Sequence, residues 1–344
     1  MGWSQILLVK QPINPPSLKL RRTSRRATLQ IKLIKMEKSS NPTLGLALSG
    51  SGNRTTFYIG FLEVLNEAGI KIDYISACSG GCLVAAAYAC GTLAEFKQRV
   101  LNMGSKDFKD LMTKDRGEGG LYKLDILEQI LNENFTKGLH FDEVRPIMAF
   151  TAVDIENGEV VDLCIGEIAR AARISCTTPG LFESIKWGNR ILVDGGVLSM
   201  VPVASLKKFS PGVSVSLNLA LTRNIFTGAQ MNAKKMMNVL KKFLLIHEIS
   251  EMLKSIWPEN GGENFEQSPK LFSVLGKSLD LAIYANKHYM DDDGCDLKIT
   301  PDFKNCNRVN LSAKTMKKYY EIGRQSAKEN LPRIKELIEK KMSV

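Results

Sequence analysis

The sequence lacks any apolar run approaching the roughly 18 consecutive residues that span a bilayer, so no transmembrane helix is expected. It has no repeat of fixed period and no excess of glycine or proline, which excludes solenoid and low-complexity classes. Histidine is scarce, at positions 140, 247 and 288 only, and neither these residues nor the acids fall at metal-ligand spacing. No metal and no other cofactor is expected. The seven cysteines (78, 82, 90, 164, 176, 295 and 306) include no pair at the two-residue spacing of a zinc knuckle. They read as reduced, mostly packed thiols in a reducing compartment, with a cytoplasmic location expected.

With 44% hydrophobic and 24% charged residues, 344 residues suffice for one large globular domain. The net charge of +11 invites a nucleic-acid reading, but its distribution argues against one. Residues 1–35 hold eight Lys and Arg and no acid, and removing those eight from 47 leaves 39 basic against 36 acidic residues. The body is close to neutral; the leader carries the charge. That leader, residues 1–40, fits an organellar transit peptide or a polybasic tail for peripheral membrane contact. The favoured reading is a disordered or non-native segment, with translation beginning at Met36. The folded part is expected over 41–344, with a motif-bearing core at 44–207 and a helical remainder at 208–344.

Leu44–Leu48 is a short apolar run ending in a glycine-rich turn, as in a buried parallel strand. Apolar residues at helical spacing follow from Phe57 to Ala68 with Gly69 as the stop, then a second strand over 73–77 and a small-residue helix over 83–90. Strand, helix, strand, helix predicts a parallel sheet. Helices are expected over 92–135 and a strand over 147–153. Asn157-Gly158 predicts a two-residue hairpin turn into Val160–Leu163. Short strands at 191–193, 213–221 and 297–299 and helices at 231–256, 268–290 and 312–341 complete the reading. The Met-bearing 231–256 segment reads as core packing or as an adaptable lid.

Three constellations carry chemistry. Ala77-Cys78-Ser79-Gly80-Gly81 is a strand-turn-helix with serine at the turn and small residues two positions to either side, which a nucleophile elbow requires. It reads equally as a helix cap. Ser49-Gly50-Ser51-Gly52-Asn53-Arg54 closes the first strand with backbone N–H groups suited to an anion. A dinucleotide fingerprint would need a third glycine at Thr55 and an acid after the second strand, and has neither. Loops after adjacent parallel strands share one edge, which favours an oxyanion hole formed by Gly50, Ser51, Gly52 and Asn53. Arg54 is a candidate for a phosphate headgroup or a brace for the loop. Asp194-Gly195-Gly196 at a strand end is a catalytic base or a plain turn.

In this order and spacing, the three motifs resemble the patatin-like phospholipase family, in its bacterial-type acyl hydrolases. Ala172–Phe182 and Ile191–Pro202 are similar to the family's segment leading into its aspartate. The resemblance runs from about residue 44 to the C-terminus. It implies a three-layer α/β/α sandwich with a mostly parallel central sheet, and a Ser79–Asp194 dyad acting on lipid acyl esters through an acyl-enzyme. Gly80, Gly81, Gly195 and Gly196 are the supporting turn residues. The sequence departs from the family pattern at Ser51, Thr55 and Ala77, which stand at glycine positions, and at Ser199, where asparagine is common. If position 55 needs φ > 0, a β-branched residue resists it, and an inactive lipid-binding relative is the alternative. A Ser-His-Asp esterase using His247 or His288 is the second alternative, although both histidines lie in helical segments.

Overall fold

The computed structural model describes residues 43–113, 120, 122–219, 294–303 and 312–342. The leader, the segments 231–256 and 268–290, His247 and His288 lie outside the described residues. β1 (Leu44–Leu48) leads through a tight loop into α1 (Thr56–Glu67), and β2 (Tyr74–Cys78) turns directly into α2 (Gly80–Ala89). α3 (Leu93–Leu101), α4 (Ser105–Lys109) and α5 (Asp125–Leu131) fill the connection to β3 (Ile147–Asp154). β4 (Glu159–Leu163), α6 (Ile168–Ser175), β5 (Ile185–Trp187), β6 (Arg190–Asp194), α7 (Val203–Lys207) and β7 (Val213–Leu217) follow. β8 (Leu297–Ile299) and the long α8 (Ala313–Met342) end the described chain. No described helix is long and apolar enough to cross a membrane.

The sheet order is β5-β6-β3-β2-β1-β7-β8, with β4 paired to β3 off this path. The stretch β3-β2-β1-β7-β8 is parallel throughout, while β4, β5 and β6 add antiparallel pairs. Alternation along the strands divides the core. Leu44, Leu46, Leu48, Ile75, Ala77, Phe150 and Val215 join a cluster that includes side chains of α1, α2, α3, α6 and α8. Ala47 and Ala149 face the other way, against Val203 and Leu206 of α7 and Phe209. Helices thus cover both faces, and the expected α/β sandwich is present.

Register brings two distant strand ends together. Residues 150–154 of β3 pair with β4, so β2 and β6 must both lie on the opposite edge. Along that edge Thr151 is opposite Cys78, the last residue of β2, and the next residue, Ala152, is opposite Asp194, the last residue of β6. β2 runs parallel to β3 and β6 antiparallel, so their C-terminal ends meet head to head. Whatever follows Cys78 is therefore a neighbour of Asp194.

Two local expectations are corrected. β5 was not expected; its three residues are too few to leave a periodicity. The hairpin after β3 has four connecting residues, not two, since Asp154 pairs with Glu159. The Asp154 carboxylate accepts from the Glu156 N–H at 3.1 Å and from Asn157 Nδ2 at 2.7 Å. These side-chain bonds support the wider turn, with Gly158 at φ 67° closing it.

Candidate active site

Ser79 stands between β2 and α2 at φ 49°, ψ −127°, a region that a residue with a side chain adopts only under strain. Its Oγ donates to Asp194 Oδ2 at 2.7 Å. The other carboxylate oxygen, Oδ1, accepts from the Gly196 N–H at 2.8 Å and from Cys78 Sγ at 3.8 Å. Asp194 is 7% exposed. Burial pushes its carboxyl up to about 6, while hydrogen bonds from Ser79, Gly196, Cys78 and Thr178 partly offset that rise. A carboxylate with raised proton affinity in contact with a serine hydroxyl has the attributes of a general base.

The glycines around the dyad are demanded by close approach. A Cβ at Gly80 would fall 2.4 Å from Thr55 Oγ1 and 2.7 Å from Ser51 Oγ, and one at Gly195 would fall 2.4 Å from the Thr151 carbonyl oxygen. The loop after β1 thus lies directly against the serine turn. Its base is fixed by Ser49, whose Oγ accepts from the Leu219 N–H at 2.8 Å and bonds Tyr58 Oη at 3.0 Å. Within the loop only Gly52 has positive φ, at 52°, whereas Ser51 (−128°) and Thr55 (−49°) are negative. Both residues standing at glycine positions therefore sit in conformations open to them. Their hydroxyls bond each other at 2.9 Å, and Thr55 Oγ1 donates to the Gly52 carbonyl at 2.7 Å.

Not every predicted residue is free to act. The Gly50 N–H donates to the Met200 carbonyl at 2.9 Å, so the oxyanion donors expected of this loop narrow to Ser51, Gly52 and Asn53. Arg54 is 5% exposed, donates to the Leu219 carbonyl at 2.5 Å and lies 4.5 Å over the Phe303 ring. Its guanidinium is thus in contact with the Leu219 carbonyl and the Phe303 ring, contacts that support the bracing reading. His140 sits in the loop that enters the N-terminal end of β3, where its N–H donates to Glu143 Oε2. No hydrogen bond links it to Ser79 or Asp194.

Residues 46–207 match the family model of patatin-like phospholipases, a span that contains all of these motifs. This segment is similar to the patatin-like phospholipases. An uncharacterized NTE family protein of Mycobacterium tuberculosis is 26% identical over 192 residues, covering 56% of this chain and 52% of the relative. Lysophospholipase NTE1 of Cryptococcus neoformans is 27% identical over 179 residues, covering 48% of this chain and 10% of that protein. The chain thus spans about half the length of the mycobacterial relative. Human GIVD cytosolic phospholipase A2 aligns over 96% of this chain and 65% of its own at 10% identity, with a TM-score of 0.48.

Several contacts of the site have no sign in the sequence, although two of the residues lie in the Ala172–Phe182 stretch. Ser175, at the end of α6, accepts the Ser79 N–H at 2.9 Å, and Cys176 lies against the Ser79 side chain. Burial, and after it the Asp194 carboxylate, push the Cys78 and Cys176 thiols up, so they are neutral packing groups and not rival nucleophiles. Ser175 and Cys176 reach Ser79 from the end of α6, a tertiary contact that no local pattern encodes.

Two predictions follow from this geometry. Because the folded value of Asp194 is raised, its contribution to stability is fully present below the unfolded value near 4 and is lost as pH rises through about 6. The size of that loss is about 3 kcal/mol. Melting temperatures of Asp194→Asn minus wild type should therefore climb between pH 4.5 and 7.5; a flat difference would contradict the burial argument. Arg54→Met keeps the aliphatic stem but removes the bond to Leu219. Denaturant unfolding should show a loss of about 1–3 kcal/mol, with no change in preference between phospholipid and neutral ester.

Proposed function

We propose that this protein hydrolyses lipid acyl esters, with Ser79 as nucleophile and Asp194 as its base. The observation that carries the reading is the 2.7 Å hydrogen bond from Ser79 Oγ to a buried carboxylate, inside a segment similar to the patatin-like phospholipases. A carboxylate already bonded to the serine favours direct proton transfer over a histidine relay. The negative φ of Ser51 and Thr55 removes the steric reason for regarding the domain as inactive.

Asp194 Oδ2 takes the Ser79 proton as Oγ bonds to the acyl carbon, and the carbonyl electrons move onto oxygen. Backbone N–H groups of Ser51, Gly52 and Asn53 stabilise that oxyanion, aided by the Gly80 N–H at the open end of α2. Collapse expels the alkoxide, which leaves with the proton held by Asp194, and an acyl-Ser79 ester remains. Water then gives its proton to Asp194 and attacks the same carbon. Ser79 departs reprotonated and the fatty acid is released.

Ser79→Ala should abolish turnover with an unchanged melting profile. Asp194→Asn should lower kcat by about 10²–10⁴, and His140→Gln should leave it within a few-fold. kcat/KM should rise with pH to a plateau, with an apparent midpoint near the Asp194 value of about 6. On p-nitrophenyl esters from about two to sixteen carbons it should grow by ~0.8 kcal/mol per buried methylene until the pocket is filled. Preference for acetyl, with no gain through about eight carbons, would sink the lipid reading and leave a small-ester hydrolase.

A further inference from the structure

The amide of Ser79 has no acceptor of its own. β2 ends one residue earlier, and the N–H groups that open a helix have no intrahelical partner. Ser175 supplies the acceptor: its Oγ receives the Ser79 N–H at 2.9 Å and is itself fully buried. A hydroxyl has one proton to give, and Ser175 gives it to the Thr151 carbonyl at 2.7 Å. Its lone pairs are then left for Ser79 N–H and for Cys82 Sγ at 3.2 Å. A hydroxyl with one donor bond and two acceptor bonds has no second orientation to adopt.

The same short stretch also reaches Asp194. Thr177, two residues beyond Ser175, accepts the Asp194 N–H on its carbonyl at 2.8 Å, and the Thr178 side chain bonds the carboxylate. Upstream, Arg173 fastens α6 to α5 through Asp125 at 2.6 Å and Glu128 at 3.0 Å. Residues 175–178 therefore hold the backbones of both Ser79 and Asp194 from one anchored helix end.

We propose that Ser175 is a positioning residue: by binding the Ser79 N–H and the Thr151 carbonyl together, it holds the nucleophile's backbone in its strained conformation and in reach of Asp194. The proposal rests on the reading of Ser79 as nucleophile. An ordinary buried serine that only fills space would affect stability alone. A positioning serine affects the chemical step while leaving substrate affinity in place.

The test uses full-length Ser175→Ala and Ser175→Thr, with p-nitrophenyl butyrate kinetics and residue-resolved amide hydrogen exchange. Ser175→Ala should lower kcat about 10- to 100-fold, as expected of a misplaced reacting group, with KM within about twofold. Exchange at the Ser79 amide should quicken at least about tenfold while Ile75 and Ala77 in β2 stay protected. Ser175→Thr, which keeps a hydroxyl, should recover most of both. Unchanged kcat would overturn the proposal, as would faster exchange spread over all of β2 together with a lowered melting point. If wild-type protein has no esterase turnover, the functional reading fails separately. The exchange at Ser79 still decides whether Ser175 locks the turn, and an unchanged rate rejects it.

Discussion

Burying Asp194 beside Ser79 removes a carboxylate from water, and the rest of the site exists to make that tolerable. Left unpaired, an ionised carboxylate in such a place would simply neutralise. Here one oxygen is held by Ser79 Oγ and the other by the Gly196 N–H, with Cys78 alongside. The bonds are enough to keep the group titratable near neutrality but too few to restore an ordinary value. That compromise suits the base role proposed for Asp194, and it also makes the folded protein less stable than it could be.

The arrangement depends on the sheet more than on any loop. Two strands of opposite direction end on one edge of β3 at consecutive register positions, opposite Thr151 and Ala152. A slip of one residue in either strand would turn every side chain to the other face, and Ser79 and Asp194 would part. Glycine at 80 and 195 then lets the β1 loop and the Thr151 backbone close on the turn. The strain at Ser79, of a kind that costs on the order of 1–3 kcal/mol, persists because bonds from α6 and β3 surround it.

Much of this was legible in the sequence, and the rest was hidden for identifiable reasons. The apolar run of β1, the small-residue α2 and the Asp-Gly-Gly turn each carry a local signature, so the fold class could be read directly and Ser79 and Asp194, which the fold brings into contact, stood out as candidates. Arg54 was ambiguous because a basic residue after a glycine-rich loop looks the same whether it meets a ligand or the Leu219 carbonyl. The Gly50 N–H looked like an oxyanion donor until Met200, 150 residues away in the chain, was seen to claim it. Ser175 lay in a stretch similar to the family's, but nothing local marked its hydroxyl. A serine at a helix end acquires meaning only from what tertiary packing places against its hydroxyl. Concern over Thr55 was misplaced because the loop confines its left-handed conformation to Gly52.

The most direct measurement of the central claim is covalent labelling of the purified full-length protein with a fluorophosphonate, followed by peptide mass mapping. An activated serine is the one hydroxyl that such a reagent should find. The account predicts a single adduct on Ser79, formed at a rate that falls as pH drops below about 6, the value at which Asp194 takes up its proton. An adduct on another residue, or none on Ser79 at pH 8, would contradict it.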